Sequence, residues 1–71
     1  MHLIENASII GRTIGEQDLY LVQDETTGRI ITLVNANNLE LVTGAEGLVS
    51  YETGTENVLI GFEPATEEVF A

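Results

Sequence analysis

Hydrophobic side chains along this chain come in short runs broken by polar, glycine-containing intervals, and the runs predict β-strands. The clearest stretch is Leu19-Tyr20-Leu21-Val22-Gln23, then Asp24-Glu25-Thr26-Thr27-Gly28, then Arg29-Ile30-Ile31-Thr32-Leu33-Val34. Both arms carry β-branched, aromatic and leucine side chains, which suit a pleated, half-buried surface. Asp24 can cap the turn through its carboxylate. Gly28 can supply the left-handed residue that closes a longer hairpin loop. Residues alternate between faces along a strand. The expected grouping sets Leu19, Leu21, Ile31 and Leu33 on one face, and Tyr20, Val22, Ile30 and Val34 on the other. Both faces are substantially apolar, so the hairpin needs covering twice.

The remaining runs extend the pattern. Ile4 and Ile9-Ile10 flank the polar stretch Glu5-Asn6-Ala7-Ser8, and the alternation changes phase across it. This predicts one long first strand, His2 to Ile14, with a bulge or bend. Gly11 and Gly15 punctuate its end, and a bent, glycine-containing strand turns a corner in small barrels. Asn35-Ala36-Asn37-Asn38 reads as a turn. Leu39-Glu40-Leu41-Val42, Leu48-Val49-Ser50-Tyr51 and Val58-Leu59-Ile60-Gly61-Phe62 read as strands, with Leu39 and Leu41 inward and Glu40 outward. Glu63-Pro64 ends the last one, because proline cannot continue a ladder. No window has helical periodicity. The expected fold is all-β: a small five- or six-stranded antiparallel barrel over residues 1–64, with a short acidic tail at 65–71. In the tail, Phe70 is expected to cover an edge.

Length limits the chain of 71 residues to one domain. So short a chain buries only about 60% of its unfolded surface, and such domains usually add disulfides, metals or self-association. Cysteine is absent and His2 is the single histidine, so no disulfide, thiolate or one-chain zinc chemistry is expected. The charge is extreme, with 12 acidic residues against Arg12 and Arg29, a net −10. Such a surface repels nucleic-acid phosphates and anionic membranes. It serves solubility or high salt, or it docks on a basic partner. No apolar run approaches a membrane span of about 20 residues. Met1-His2-Leu3-Ile4-Glu5 has no signal-peptide character, so a cytoplasmic location is expected.

The residues offer little for catalysis. Ser8 and Ser50 are the only serines, and His2, near the chain end, is the only candidate base. Gly44-Ala45-Glu46-Gly47 lacks the lysine of a phosphate loop. The carboxylate pairs Asp24/Glu25, Glu52/Glu56 and Glu67/Glu68 fall in turns or the tail, where solvation rather than catalysis or calcium binding is expected. No catalytic residue, metal or cofactor is assigned. For Arg12 and Arg29, each surrounded by acids, intramolecular ion pairs are expected.

Leu21-Val22-Gln23-Asp24-Glu25-Thr26-Thr27-Gly28-Arg29-Ile30 resembles the second and third strands of OB-fold (oligonucleotide/oligosaccharide-binding) domains. Leu41-Val42-Thr43-Gly44 and Gly47-Leu48-Val49-Ser50-Tyr51 are similar to the glycine-flanked strands that follow. The resemblance implies a small barrel with a ligand face. Two departures matter: Asn35 to Asn38 is too short for the helix that usually links the third and fourth strands, and the basic binding face is missing. The first keeps a Src-homology-like barrel open; both argue against nucleic-acid binding.

The functional expectation is a non-enzymatic protein-binding module with a protein partner, self-associating as a homo-oligomer. The interface is assigned to Tyr20, Val22, Ile30, Val34, Tyr51 and Phe70. The alternative is an OB-type ligand or single-stranded nucleic-acid binder, or an acidic nucleic-acid mimic that inhibits a DNA-binding partner.

Overall fold

The computed structural model describes residues 1–65; residues 66–71, Phe70 among them, lie outside the described part. It is all-β, with strands β1 (His2–Ile14), β2 (Asp18–Asp24), β3 (Ile30–Val34), β4 (Glu46–Glu52) and β5 (Val58–Pro64). Their hydrogen bonds run in a closed ring, β1-β2-β3-β5-β4. The long first strand makes this possible. Its second half pairs with β2 and its first half with β4, and a bulge interrupts each ladder, between Ile9 and Gly11 and between Ile4 and Ala7. The bulge also leaves Ile9 available to the β3–β4 connection, whose Gly44 and Ala45 exchange backbone hydrogen bonds with it at 2.7 and 2.9 Å.

Pairing is mixed, which corrects the antiparallel expectation. Four contacts are antiparallel, and β3–β5 is parallel, through the single pair Val34–Val58. Parity requires this. Antiparallel neighbours alternate in direction, and an odd number of strands cannot alternate all the way round a ring.

The central hairpin forms where its turn chemistry places it. Gly28 has φ +78°, the Asp24 carboxylate accepts the Thr26 amide at 2.9 Å, and the Asp24 amide donates to the Arg29 carbonyl at 2.8 Å. That last bond fixes the register, and the register corrects the expected faces. Tyr20 lies opposite Leu33 and Val22 opposite Ile31, while Leu19 and Leu21 face Val34 and Thr32. Tyr20, Val22 and Leu33 are fully buried inside the ring with Ile4, Ala7, Ile9, Val49 and Leu59. Ile31, Tyr51 and Phe62 pack at the margin of this core. The other hairpin face, Leu19, Leu21, Ile30, Thr32 and Val34, is the exterior.

Leu39 to Val42 is not a strand, a second correction. Leu39 and Leu41 do pack on the core, and Glu40 is exposed. Side chains, however, claim the backbone groups a ladder would need. Asn35 accepts the Leu39 amide at 2.8 Å and donates to the Leu39 carbonyl at 2.8 Å. The Tyr20 hydroxyl accepts the Leu41 amide. Asn38, with φ +56°, turns the chain into this path. The next strand begins at Glu46, two residues before the apolar run, because Gly47 can lie against β5. A Cβ on Gly47 would collide with the Glu63 carbonyl oxygen and lie 2.9 Å from Pro64 Cα.

Candidate functional site

The register divides the six interface candidates. Tyr20 and Val22 belong to the core and offer nothing to a partner, which corrects their assignment. Ile30, 55% exposed, and Val34 lie on the outer face. Tyr51 is half-buried and stacked on His2, with ring centroids 5.4 Å apart. Phe70 is outside the described residues.

The outer face of β1-β2-β3 has a distinctive composition. The register sets Ser8, Gln23 and Ile30 in one row, Gly11, Leu21 and Thr32 in the next, and Thr13, Leu19 and Val34 in a third. None of these nine carries charge, in a chain with net charge −10. Exposed Ile10 adds to the patch from the bulge. Most carboxylates sit instead at turns and strand ends, as at Glu16, Asp24, Glu25, Glu40, Glu46, Glu52, Glu56 and Glu63; Glu5, exposed at the bulge in the first half of β1, lies outside the three rows. Sequence reasoning missed this surface because it follows from the register, not from any local run.

Arg12 organises one end of the ring. Its guanidinium makes a two-pronged contact with Asp18, at 2.8 and 2.7 Å, and a third bond to Glu40 at 2.9 Å. It also lies 4.9 Å from the centre of the Tyr20 ring. Asn35 donates to Asp18 at 2.9 Å. The Arg12 hydrogen bond, aided by Asn35, holds the Asp18 carboxyl below its ordinary range against the opposing effect of desolvation. Asp18 and Glu40 in turn raise the guanidinium further. Apart from Glu40, whose side chain is 81% exposed, the cluster's hydrogen bonds are made within the fold, and they tie the β3–β4 connection over the end of the core.

The seam between β3 and the β4–β5 turn is different. A cleft of about 240 Å³ is lined there by Leu3, Ile4, Asp24, Arg29, Ile31, Tyr51, Thr53 and Asn57. Unlike Arg12, Arg29 has no ion-pair partner among the described residues. His2 is held in β1 opposite Tyr51, not frayed. Its Nε2 lies 3.3 Å from the Thr53 hydroxyl, but among the described residues no carboxylate bonds its other ring nitrogen. An imidazole needs such an orienting group to serve a nucleophile. Among the described residues no cluster of His, Cys, Asp and Glu could hold a metal ion, and no helix is long and apolar enough to cross a membrane. No protein-family model, curated protein or solved structure matches this chain.

Proposed function

We propose that the chain is a small, non-enzymatic protein-interaction module that self-associates through the outer face of β1-β2-β3. The uncharged composition of that face carries the reading. Charged residues are depleted at the core of protein interfaces, because burying an unpaired charge is costly. In a chain this acidic, nine uncharged positions side by side on three strands are the surface on which two copies meet at least electrostatic cost. Leu19, Leu21, Ile30 and Val34 supply the apolar contact, and Thr13, Thr32 and Gln23 the polar margin. Self-association also adds the burial that a short chain lacks.

A second reading rests on the topology. A five-stranded Greek-key barrel whose β2–β3 face binds a ligand is the OB architecture, and the ring β1-β2-β3-β5-β4 supports that class over a Src-homology-like one. Its ligand here is not nucleic acid, since the face holds no cation to release counterions. The carboxylates occupy many separate turns and strand ends, which supports solubility over mimicry of a nucleic-acid backbone.

Native mass spectrometry and sedimentation at low and high salt test the proposal. A dimer or small ring that tightens as salt screens the −10 charge is expected. Leu21→Asp should give a folded monomer, whereas Thr55→Asp, the same charge change in the β4–β5 turn, should leave the assembly intact. A wild-type monomer at both salt concentrations would overturn it.

A further inference from the structure

The ring closes incompletely, and the turn hydrogen bonds show which backbone groups are left over. The Asp24 amide bonds the Arg29 carbonyl, and the Asn35 amide bonds the Asp18 carbonyl, each at 2.8 Å. In an antiparallel ladder, hydrogen-bonded pairs alternate with non-bonded ones. Residues 29, 31, 33 and 35 therefore direct their N–H and C=O groups at β2. Ile30, Thr32 and Val34 direct theirs the other way. Val34 confirms the phase, because its amide donates to the Asn57 carbonyl at 2.8 Å. The β3–β5 ladder consists of the Val34–Val58 pair alone. Ile30 and Thr32 thus present two N–H and two C=O groups with no backbone partner among the described residues. The cleft at the seam, lined by apolar residues together with the polar Asp24, Arg29, Thr53 and Asn57, includes Ile31, which lies between Ile30 and Thr32 in β3.

We infer that this edge is a docking site for an extended peptide segment of a basic protein, which adds a strand to β3 along Ile30 and Thr32. The inference rests on the reading of the chain as a protein-binding module but uses the backbone edge of β3 at Ile30 and Thr32, where the self-association face uses their side chains. Three features of this edge specify the occupant. The unpaired groups of Ile30 and Thr32 recognise main chain in extended form, the mode known as strand addition. Leu3, Ile4, Ile31 and the Tyr51 ring line a cleft that accepts an apolar side chain from the added strand. Asp24 lines the cleft, and Glu25 and Glu52 flank it at the adjoining turn and strand end. In a chain of net charge −10, these carboxylates select lysine or arginine at the flanks of the segment. Two local charges oppose such a ligand: Arg29, and the Met1 ammonium, which lies 3.6 Å from Glu52.

The test uses the full chain and a set of amidated heptapeptides with lysine at the first and last two positions, threonine either side of the centre, and each apolar residue in turn at the centre. Binding is followed by amide NMR and titration calorimetry. New exchange protection of the Ile30 and Thr32 amides, with the Ile31 and Leu33 amides unchanged, is expected. N-methylation of the bound peptide at alternate residues should abolish binding in one phase and spare it in the other, a readout that leaves the protein unaltered. Arg29→Gln should tighten binding about threefold and Glu25→Gln should weaken it by a similar factor, the size of one exposed charge contact. Leu21→Asp should leave peptide binding intact, which separates this site from the self-association face. Failure of every peptide to bind, equal tolerance of both methylation phases, or preference for glutamate-flanked peptides would each overturn the proposal. Protection of Ile30 and Thr32 in concentrated protein without peptide would do so too, because it would assign the edge to a second copy.

Discussion

The Tyr20 hydroxyl accepts the backbone amide of Leu41 at 2.8 Å, across the end of the core. It also donates to the Leu39 carbonyl at 3.0 Å. One phenol therefore substitutes for the ladder partner that residues 39–42 lack, while its ring fills the interior. Tyr20→Phe keeps the ring but strips the Leu41 amide of its acceptor. The expected cost is about 1–3 kcal/mol, the usual range for orphaning a buried polar group. Urea denaturation measures it, and faster hydrogen exchange at Leu41 should accompany it while the β2–β3 ladder keeps its protection.

Gly47 tolerates no side chain. The backbone of β5 occupies the space a Cβ would need, and backbone cannot rotate aside as a side-chain tip can. Gly47→Ala is expected to destabilise the fold by at least about 3 kcal/mol, beyond the usual cost of overpacking. Gly15→Ala serves as the comparison, because nothing lies within 4 Å of the added atom.

At Gly28 the constraint is conformational, since the surroundings are open but φ is +78°. Gly28→Ala should cost about 1 kcal/mol, whereas Gly28→Asn should cost less, because asparagine visits the left-handed region more readily. Thermal melts of the two variants give the ordering.

Asp18 should confer a distinct pH dependence. Its carboxyl titrates lower in the folded chain than in the unfolded one, chiefly through the Arg12 hydrogen bond. Its stabilising contribution is therefore complete above the ordinary aspartate value of about 3.9 and is lost as pH falls through the depressed folded value. General relief of carboxylate repulsion on acidification acts the other way, so the readout is a difference. Wild type should exceed Asp18→Asn in stability at neutral pH, and the gap should narrow as pH drops below about 4. A gap that stays constant from neutral to strongly acid pH would contradict the ion pair.

Local chemistry made much of this architecture readable in the sequence. Asp24 and Gly28 identify the hairpin turn, the phase change around Glu5-Asn6-Ala7-Ser8 identifies the bent first strand, and Pro64 marks the end of the last. Face assignment was not readable, because it depends on whether the loop after Asp24 pairs even residues with odd ones. That parity separates Tyr20 and Val22 from Ile30 and Val34, and it is the Tyr20–Val22 face that is buried in the core. Leu39-Glu40-Leu41 alternates truly, but alternation belongs to any extended chain, and the side chains of Asn35, four residues back, and of distant Tyr20 decide that it is not a strand. The uncharged face and the unpaired edge of β3 are likewise products of register. No contiguous motif encodes either.

The single Val34–Val58 pair also governs how the molecule comes apart. Cut there, the ring becomes an open sheet in the order β3-β2-β1-β4-β5, antiparallel at every contact. Few hydrogen bonds separate that sheet from the closed form, and it is reached without dismantling any hairpin, though opening exposes the buried Leu33 and Leu59. The same asymmetry orders assembly. β1–β2, β2–β3 and β4–β5 are neighbours in sequence and close short loops, β1–β4 must bridge most of the chain, and the parallel pair has nothing to align it until the others are in place. Ring closure is thus expected to be the last event of folding and the first of unfolding, which pulsed hydrogen exchange at Val34 and Val58 would time. During the interval β3 and β5 both stand as bare edges, the state in which a crowded solution of this protein is most exposed to strand exchange between copies.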